Sequence, residues 1–196
     1  MSFSQNGPGG VGNTDKTSPL VIWLDANDVK QDSNSHVGLW LDKSGFANHG
    51  HIAAGLGPII QIDAVNNNNT LQFNSNKHEY LIVSSDSSIE KNQLSLYVVG
   101  KITNNSSPWS GFVLKESGKS WNDGYGICRY DDHNEFIGYT NNFERFGLKA
   151  PLELNEYSIL SLHHDDDSLK FYKNGKCVGS LEHIGEIIHK DDVFWI

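Results

Sequence analysis

Five hard oxygen donors fall within ten residues: Asp25, Asn27, Asp28, Asp32 and Asn34. Calcium takes about six to eight oxygens from carboxylates, amides and loop carbonyls, so this run is a candidate calcium site. Its spacing is not that of an EF-hand, because the required Gly and terminal Glu are missing. The competing reading is that Asp25 and Asp28 cap turns through side-chain-to-backbone hydrogen bonds. A second chemistry is available to Trp109 and Trp121. Both lie in Ser/Asn/Gly-rich segments, Ser106-Ser107-Pro108-Trp109-Ser110 and Lys119-Ser120-Trp121-Asn122-Asp123, with Tyr125 and Arg129 close behind. Sugars are bound by an aromatic platform for the apolar ring face and fixed polar groups for the hydroxyls. Trp109, Trp121, Asn122, Asp123, Tyr125 and Arg129 are therefore the candidate ligand-binding set. The alternative for Trp121 is a loop ring tucked over a sheet edge. Trp23, Trp40 and Trp195 sit in apolar runs and are expected in the core.

The remaining polar clusters point to turns. Asp42-Lys43-Ser44-Gly45 has the residue types of a tight turn, with Asp and Ser accepting backbone N–H groups and Gly permitting positive φ. Asn48-His49-Gly50-His51 and His163-His164-Asp165 bring imidazoles together, yet two histidines do not complete a zinc site. Asp131-Asp132-His133-Asn134-Glu135 reads as a turn between strands. Cys128 and Cys177 allow either one disulfide or two free thiols.

The elements that must position these residues are strands. Val21 to Leu24, Leu71 to Phe73, Tyr80 to Val83, Gly111 to Lys115, Tyr125 to Tyr130 and Glu135 to Thr140 are short apolar runs bounded by turn residues. From Gln93 to Ile102 the chain alternates, with Leu94, Leu96 and Val98 on one face and Ser95, Tyr97 and Val99 on the other. Tyr157 to His163 is expected to pair with Ser168 to Tyr172 across Asp165-Asp166-Asp167, and Asn174-Gly175 is a strong type I′ hairpin signal. No stretch holds a 3.6-residue period over three turns, so helix should be scarce.

With 196 residues and 37% hydrophobic content, the chain suffices for one sizeable core. A net charge of −9 argues against nucleic-acid or anionic-membrane partners. No run of about 18 apolar residues is present, so membrane insertion is not expected. No signal-peptide h-region follows Met1, and Ser2-Phe3-Ser4-Gln5-Asn6 resembles the start of a mature secreted protein. A chain made in the cytosol, such as a virion or phage component, is the alternative.

The Gly7-Pro8-Gly9-Gly10-Val11-Gly12 leader, Trp23-Leu24-Asp25 and Trp40-Leu41-Asp42-Lys43-Ser44-Gly45 resemble the opening of a laminin-G-like, concanavalin A-like jelly-roll domain. Leu71-Gln72-Phe73 followed by Glu79-Tyr80-Leu81, the strand from Leu94 to Lys101, and Leu169-Lys170-Phe171-Tyr172-Lys173-Asn174-Gly175-Lys176 continue the likeness in order. The leader is similar to those of secreted Bacteroidota surface proteins. The resemblance implies an all-β, two-sheet antiparallel sandwich over residues 20–196 after an irregular leader at 1–19. It also implies a noncatalytic, secreted or cell-surface adhesion module binding a glycan or surface protein, with calcium shaping the loop rim. A structural spacer is the alternative, and a polysaccharide-active hydrolase or lyase a third reading. The Glu-x-Asp-x-(x)-Glu strand of hydrolases sharing this fold is absent. After the Asn-Gly hairpin the family adds a closing strand beside the first. Here either that strand is missing or Ile184-Gly185-Glu186-Ile187-Ile188 replaces it, and an open edge invites oligomers.

Overall fold

The computed structural model describes residues 5–104, 109–118, 121–130, 133–182 and 184–196. Among the described residues the chain is all-β and antiparallel, as the sequence implies, with one single-turn α-helix, α1 (Phe143–Phe146), and two 3-10 turns. It divides into two compact units, Met1–Ile89 and Glu90–Ile196.

In the first unit, β1 (Leu24–Gln31), β2 (Val37–Asp42), β3 (Gly50–His51) and β6 (Ile82–Val83) are neighbours in that order. A separate hairpin joins β4 (Ile59–Val65) to β5 (Asn68–Gln72). The Asp/Asn segment expected as a loop lies inside β1. Leu24 faces Asp42 and Val29 faces Trp40, so residues 25–28 bulge opposite Leu41 alone. Residues 5–23 form no strand, so the pairing expected from Val21 begins instead at Leu24.

Asp42 organises this unit. Its Oδ1 accepts the N–H groups of Trp23 (2.8 Å) and Ser44 (2.9 Å), and its Oδ2 accepts Ser44 Oγ (2.7 Å) and Asn48 N (2.9 Å). Asn48 Nδ2 donates to the Val21 carbonyl. Four charge-assisted bonds to one buried carboxylate explain why Asp, Ser and Asn stand at these spacings. Gly45 adopts φ 89°, and a Cβ there would lie 2.3 Å from the Thr14 carbonyl oxygen.

The second unit is a two-sheet sandwich. One sheet runs β15 (Phe194–Trp195), β8 (Gly111–Lys115), β9 (Tyr125–Arg129), β10 (Glu135–Thr140), β11 (Gly147–Pro151). The other runs β14 (Lys176–Glu182), β13 (Ser168–Lys173), β12 (Ser158–His164), β7 (Leu94–Gly100). Ile127, Phe136, Leu160, Leu162, Leu169 and Phe171 are fully buried between them. The packing is close enough that a Cβ at Gly138 would sit 2.7 Å from the Phe171 ring. The expected β12–β13 pairing is observed, and Asp165 holds its turn by accepting the N–H groups of Asp167 and Ser168. Asn174 (φ 50°) and Gly175 (φ 77°) make the expected hairpin turn. The terminal Phe194–Trp195 pairs with Lys115 and Leu114.

Cys128 is buried and Cys177 exposed, and both are free thiols. Trp23, Trp40 and Trp195, expected in the core, are half-buried, and Lys43 Nζ lies 4.4 Å above the Trp23 ring.

Candidate functional site

Two loops and α1 of the second unit bring aromatic rings together across the outer face of β8, β9 and β10, above Tyr139. The Trp109 ring lies 5.3 Å from Trp121, 5.2 Å from Tyr130 and 5.2 Å from Phe143. Trp121 in turn lies 5.7 Å from Phe143 and 5.6 Å from Tyr139. Trp109, Trp121, Tyr130 and Phe143 are half-exposed, whereas Tyr139 is buried beneath them and its hydroxyl finds no partner among the described residues. Burial pushes the Tyr139 phenol well above its ordinary range. Most ring pairs are strongly inclined, the geometry aromatic quadrupoles prefer.

Both tryptophans occupy the left-handed backbone region, Trp109 at φ 62° and Trp121 at φ 52°. Bulky residues rarely adopt it, and holding one there costs about 1–3 kcal/mol, so the surrounding structure must enforce it. Around Trp121 the anchors are visible. Asp123 accepts Ser117 N (2.9 Å) and Ser117 Oγ (2.6 Å) and pairs with Lys190, while Glu116 accepts Gly118 N at 2.7 Å. At Gly124 (φ 63°) a Cβ would stand 1.6 Å from the Lys115 carbonyl oxygen, so only glycine fits. Burial works to raise the Asp123 carboxyl, but Lys190 and Ser117 outweigh it and hold the group below the usual range. Glu116 goes the other way, raised by burial with Asp123 and Asp192 adding repulsion.

The polar fringe comes from α1 and its neighbours. Asn142 caps α1 by accepting Arg145 N at 2.9 Å and donates its amide to Asn122 Oδ1. Lys149 Nζ lies 3.7 Å above the Tyr130 ring, a cation–π contact at the cluster's margin.

Of the six residues singled out for ligand binding, the structure brings Trp109, Trp121 and Asn122 to this rim. Asp123 and Arg129 are each 1% exposed and Tyr125 6%, so these three sit in the framework beneath it. Tyr130, Phe143 and Asn142 were missed. Phe143 and Asn142 lie in Asn141-Asn142-Phe143-Glu144, where an N-cap before a short helix was the available signal. Ser106-Ser107-Pro108, Lys119-Ser120 and Asp131-Asp132 lie outside the described residues.

Of the five proposed metal ligands, Asp25, Asn27 and Asp28 lie in the bulge of β1, and Asp32 and Asn34 in the turn that follows it. Lys43 Nζ stands 3.3 Å from Asp25 Oδ2 and 2.8 Å from Asp28 Oδ2, where a cation would otherwise go. Asn27 donates both its backbone and amide N–H groups to Asp25. Asp32 accepts Asn34 N (2.8 Å) and His36 N (2.9 Å). In this structure a lysine and turn N–H groups engage these donors. Among the described residues no group of three or more His, Cys, Asp or Glu is arranged to hold a metal ion.

Glu90, Glu116, Asp123 and Asp192 lie around Lys115 and Lys190. Buried Lys115 pairs with Glu90 at 3.0 Å and donates to the Asp192 carbonyl at 2.9 Å. These charges form a closed network with no water-sized space among them for a sugar. An open groove of about 670 Å³ runs between β11 and β14, but two of its lysines are paired, Lys149 with Glu135 and Lys173 with Glu153. Among the described residues no helix is long and apolar enough to cross a membrane.

No protein-family model and no curated protein matches the chain. Solved structures do. The binding domain of botulinum neurotoxin serotype D superposes with TM-score 0.55 at 14% identity, covering 91% of this chain and 43% of that one. The receptor-binding domain of botulinum neurotoxin mosaic serotype C/D gives 0.57 at 16% identity, with coverages of 91% and 43%. Domain 4 of a GH43 extracellular arabinanase from Geobacillus stearothermophilus, solved with arabinotriose, gives 0.50 at 13% identity, covering 71% of this chain and 66% of that one. The chain thus spans less than half the length of the toxin domains. At these identities the likeness is one of fold, and this chain has the β-sandwich fold of those binding domains.

Proposed function

We propose that this chain is a noncatalytic carbohydrate-binding module acting outside the cell, which holds glycan at the rim formed by Trp109, Trp121, Tyr130 and Phe143. The observation that carries this reading is the pair of half-exposed tryptophans held in the left-handed region within one ring cluster. Backbone strain of this kind persists where the position of a side chain matters. The rings offer apolar faces to sugar C–H groups, and Asn122 and Asn142 stand beside them for the hydroxyls. The fold shared with toxin binding domains and with an arabinotriose-bound module supports the same class. The closed, lysine-neutralised carboxylate network favours binding over hydrolysis, since a glycosidase needs two carboxylates flanking a sugar.

A glycan array probed with the whole chain, with and without chelator, tests this. Reproducible binding to one glycan class is expected, weakened by Trp121→Phe, which keeps the packing but shortens the platform. Absence of binding in both buffers would overturn the reading in favour of a structural spacer. Binding lost only in chelator would bring a cation into the site.

A further inference from the structure

The outer face of the four-stranded sheet carries a second set of rings. Register places Tyr97, Ser161 and Tyr172 in one cross-strand row and Ser95, His163 and Lys170 in the next. Small Ser161 lets the His163 ring lean across the row, Nε2 lying 3.1 Å from Ser161 Oγ. That ring meets Tyr97 at 5.2 Å and 85°, and Tyr172 at 5.2 Å and 81°. On its other side His163 Nδ1 is 3.0 Å from the Oγ of exposed Ser95. Tyr97 is 64% exposed, and directly paired Val99 and Ile159, at 65% and 52%, extend the apolar surface.

We propose that this face is a second carbohydrate site, taking an uncharged oligosaccharide laid across Tyr97, His163 and Tyr172.

Three features of the face select that ligand. The two ring rows themselves hold no carboxylate and one half-buried ammonium, Lys170, so an ionic ligand finds little to pair with in them; a carboxylate on this face, Glu182, lies on β14 opposite Ser168 and beside Ser180. Its rings meet edge to face, and the 64% exposure of Tyr97 leaves ring surface open to a ligand. Its hydrogen-bond chain runs Ser95, His163, Ser161, and a neutral imidazole offers one donor and one acceptor. Exposed Ser95 therefore keeps hydroxyl capacity toward solvent, and a sugar hydroxyl, both donor and acceptor, matches either orientation. Burial lowers the proton affinity of His163, consistent with the neutral ring. A second copy of the chain is a poorer occupant, because each copy carries a net charge of −9. None of these residues belongs to the tryptophan rim, so the two sites stand or fall separately.

The test is calorimetric titration of the whole chain with cellohexaose, xylohexaose and mannohexaose, using wild type, Tyr97→Ala, Tyr97→Phe and Trp121→Phe. One hexasaccharide should bind, with Tyr97→Ala weakening it roughly tenfold or more and Tyr97→Phe less, and a Tyr97-dependent component of the binding should persist in Trp121→Phe. Loss of binding in Trp121→Phe with Tyr97→Ala unaffected would overturn this site and leave the rim standing. No binding by any of the three sugars would overturn it as well. So would sedimentation of a wild-type dimer that Tyr97→Ala dissolves, which would make the face a contact between copies.

Discussion

The sandwich of the second unit carries two aromatic assemblies built in opposite ways. The rim cluster is assembled from loop residues, Trp109 and Trp121, forced into a backbone region that tryptophan avoids, and from Phe143 on a one-turn helix. The face cluster is assembled from strand residues in relaxed, regular register, with Tyr97, His163 and Tyr172 brought together by pairing alone. In the rim, rings pack on rings and share their stability with the fold. On the face, the rings project from a core already complete beneath them, where Leu96, Leu160, Leu162 and Phe171 point inward. Removing a rim ring should therefore harm folding and binding together, whereas removing a face ring should touch binding alone.

The largest expected break in that contrast is Trp109→Ala. It deletes a half-buried ring that meets three others and should lower unfolding free energy by about 2–3 kcal/mol in urea titration. Trp109→Gly should be milder by roughly 1 kcal/mol, because glycine enters the left-handed region freely. A larger loss with glycine than with alanine would argue that the backbone there is not strained.

Next comes Gly138→Ala, whose new methyl would meet Phe171 and Leu162 beneath the face cluster. Overpacking should cost about 1–3 kcal/mol and disturb Tyr172 and His163 before the rim. Two-dimensional NMR shifts on β12 and β13 larger than those around Trp121 would bear this out.

A smaller effect is expected from acid. His163 and His189 are held below the ordinary histidine range, chiefly by burial. An unfolded chain takes up protons near pH 6.5 while the folded sites resist, so their contribution is full above about that pH and is lost as pH falls through the lowered folded values. Asp25, held low against burial by the Asn27 N–H and Lys43, and Asp123, held low by Lys190 and Ser117, add a second loss below the ordinary carboxylate range, while Glu116, raised by burial, contributes the opposite way at higher pH as it protonates. Melting temperature should thus begin to fall near pH 6, and His163→Asn should flatten that first step. An unchanged acid limb in this variant would assign the step to His189 alone.

The smallest stability effect belongs to Tyr97→Ala, within about 0.5 kcal/mol of wild type by thermal denaturation, since its ring is mostly exposed.

Much of the fold was legible locally. The alternation from Leu94 to Val99 placed Tyr97 on the face opposite Leu94, Leu96 and Val98, and Asn174-Gly175 marked its hairpin because both residues tolerate positive φ. β11 and β14 were not singled out, because Gly147-Leu148-Lys149-Ala150-Pro151 and the Gly-containing β14 carry weak strand signals that pairing overrides. The tryptophans of the rim stood out by residue type and loop setting. Asp123, Tyr125 and Arg129 lay close to Trp121 along the chain, yet an alternating, doubly covered strand sends neighbours inward, and nothing local records which.

By itself, the sequence determined the strand-rich class, the turn chemistry at Asp42 to Gly45 and Asp165 to Ser168, and the acidic surface. Each follows from interactions between residues close in the chain. Only the tertiary structure decided that Lys43 would occupy the space between Asp25 and Asp28, that Trp109 would meet Trp121, and that His163 would stand between Tyr97 and Tyr172. Those meetings depend on register and on packing between strands distant in sequence, which a local pattern of residue types does not encode.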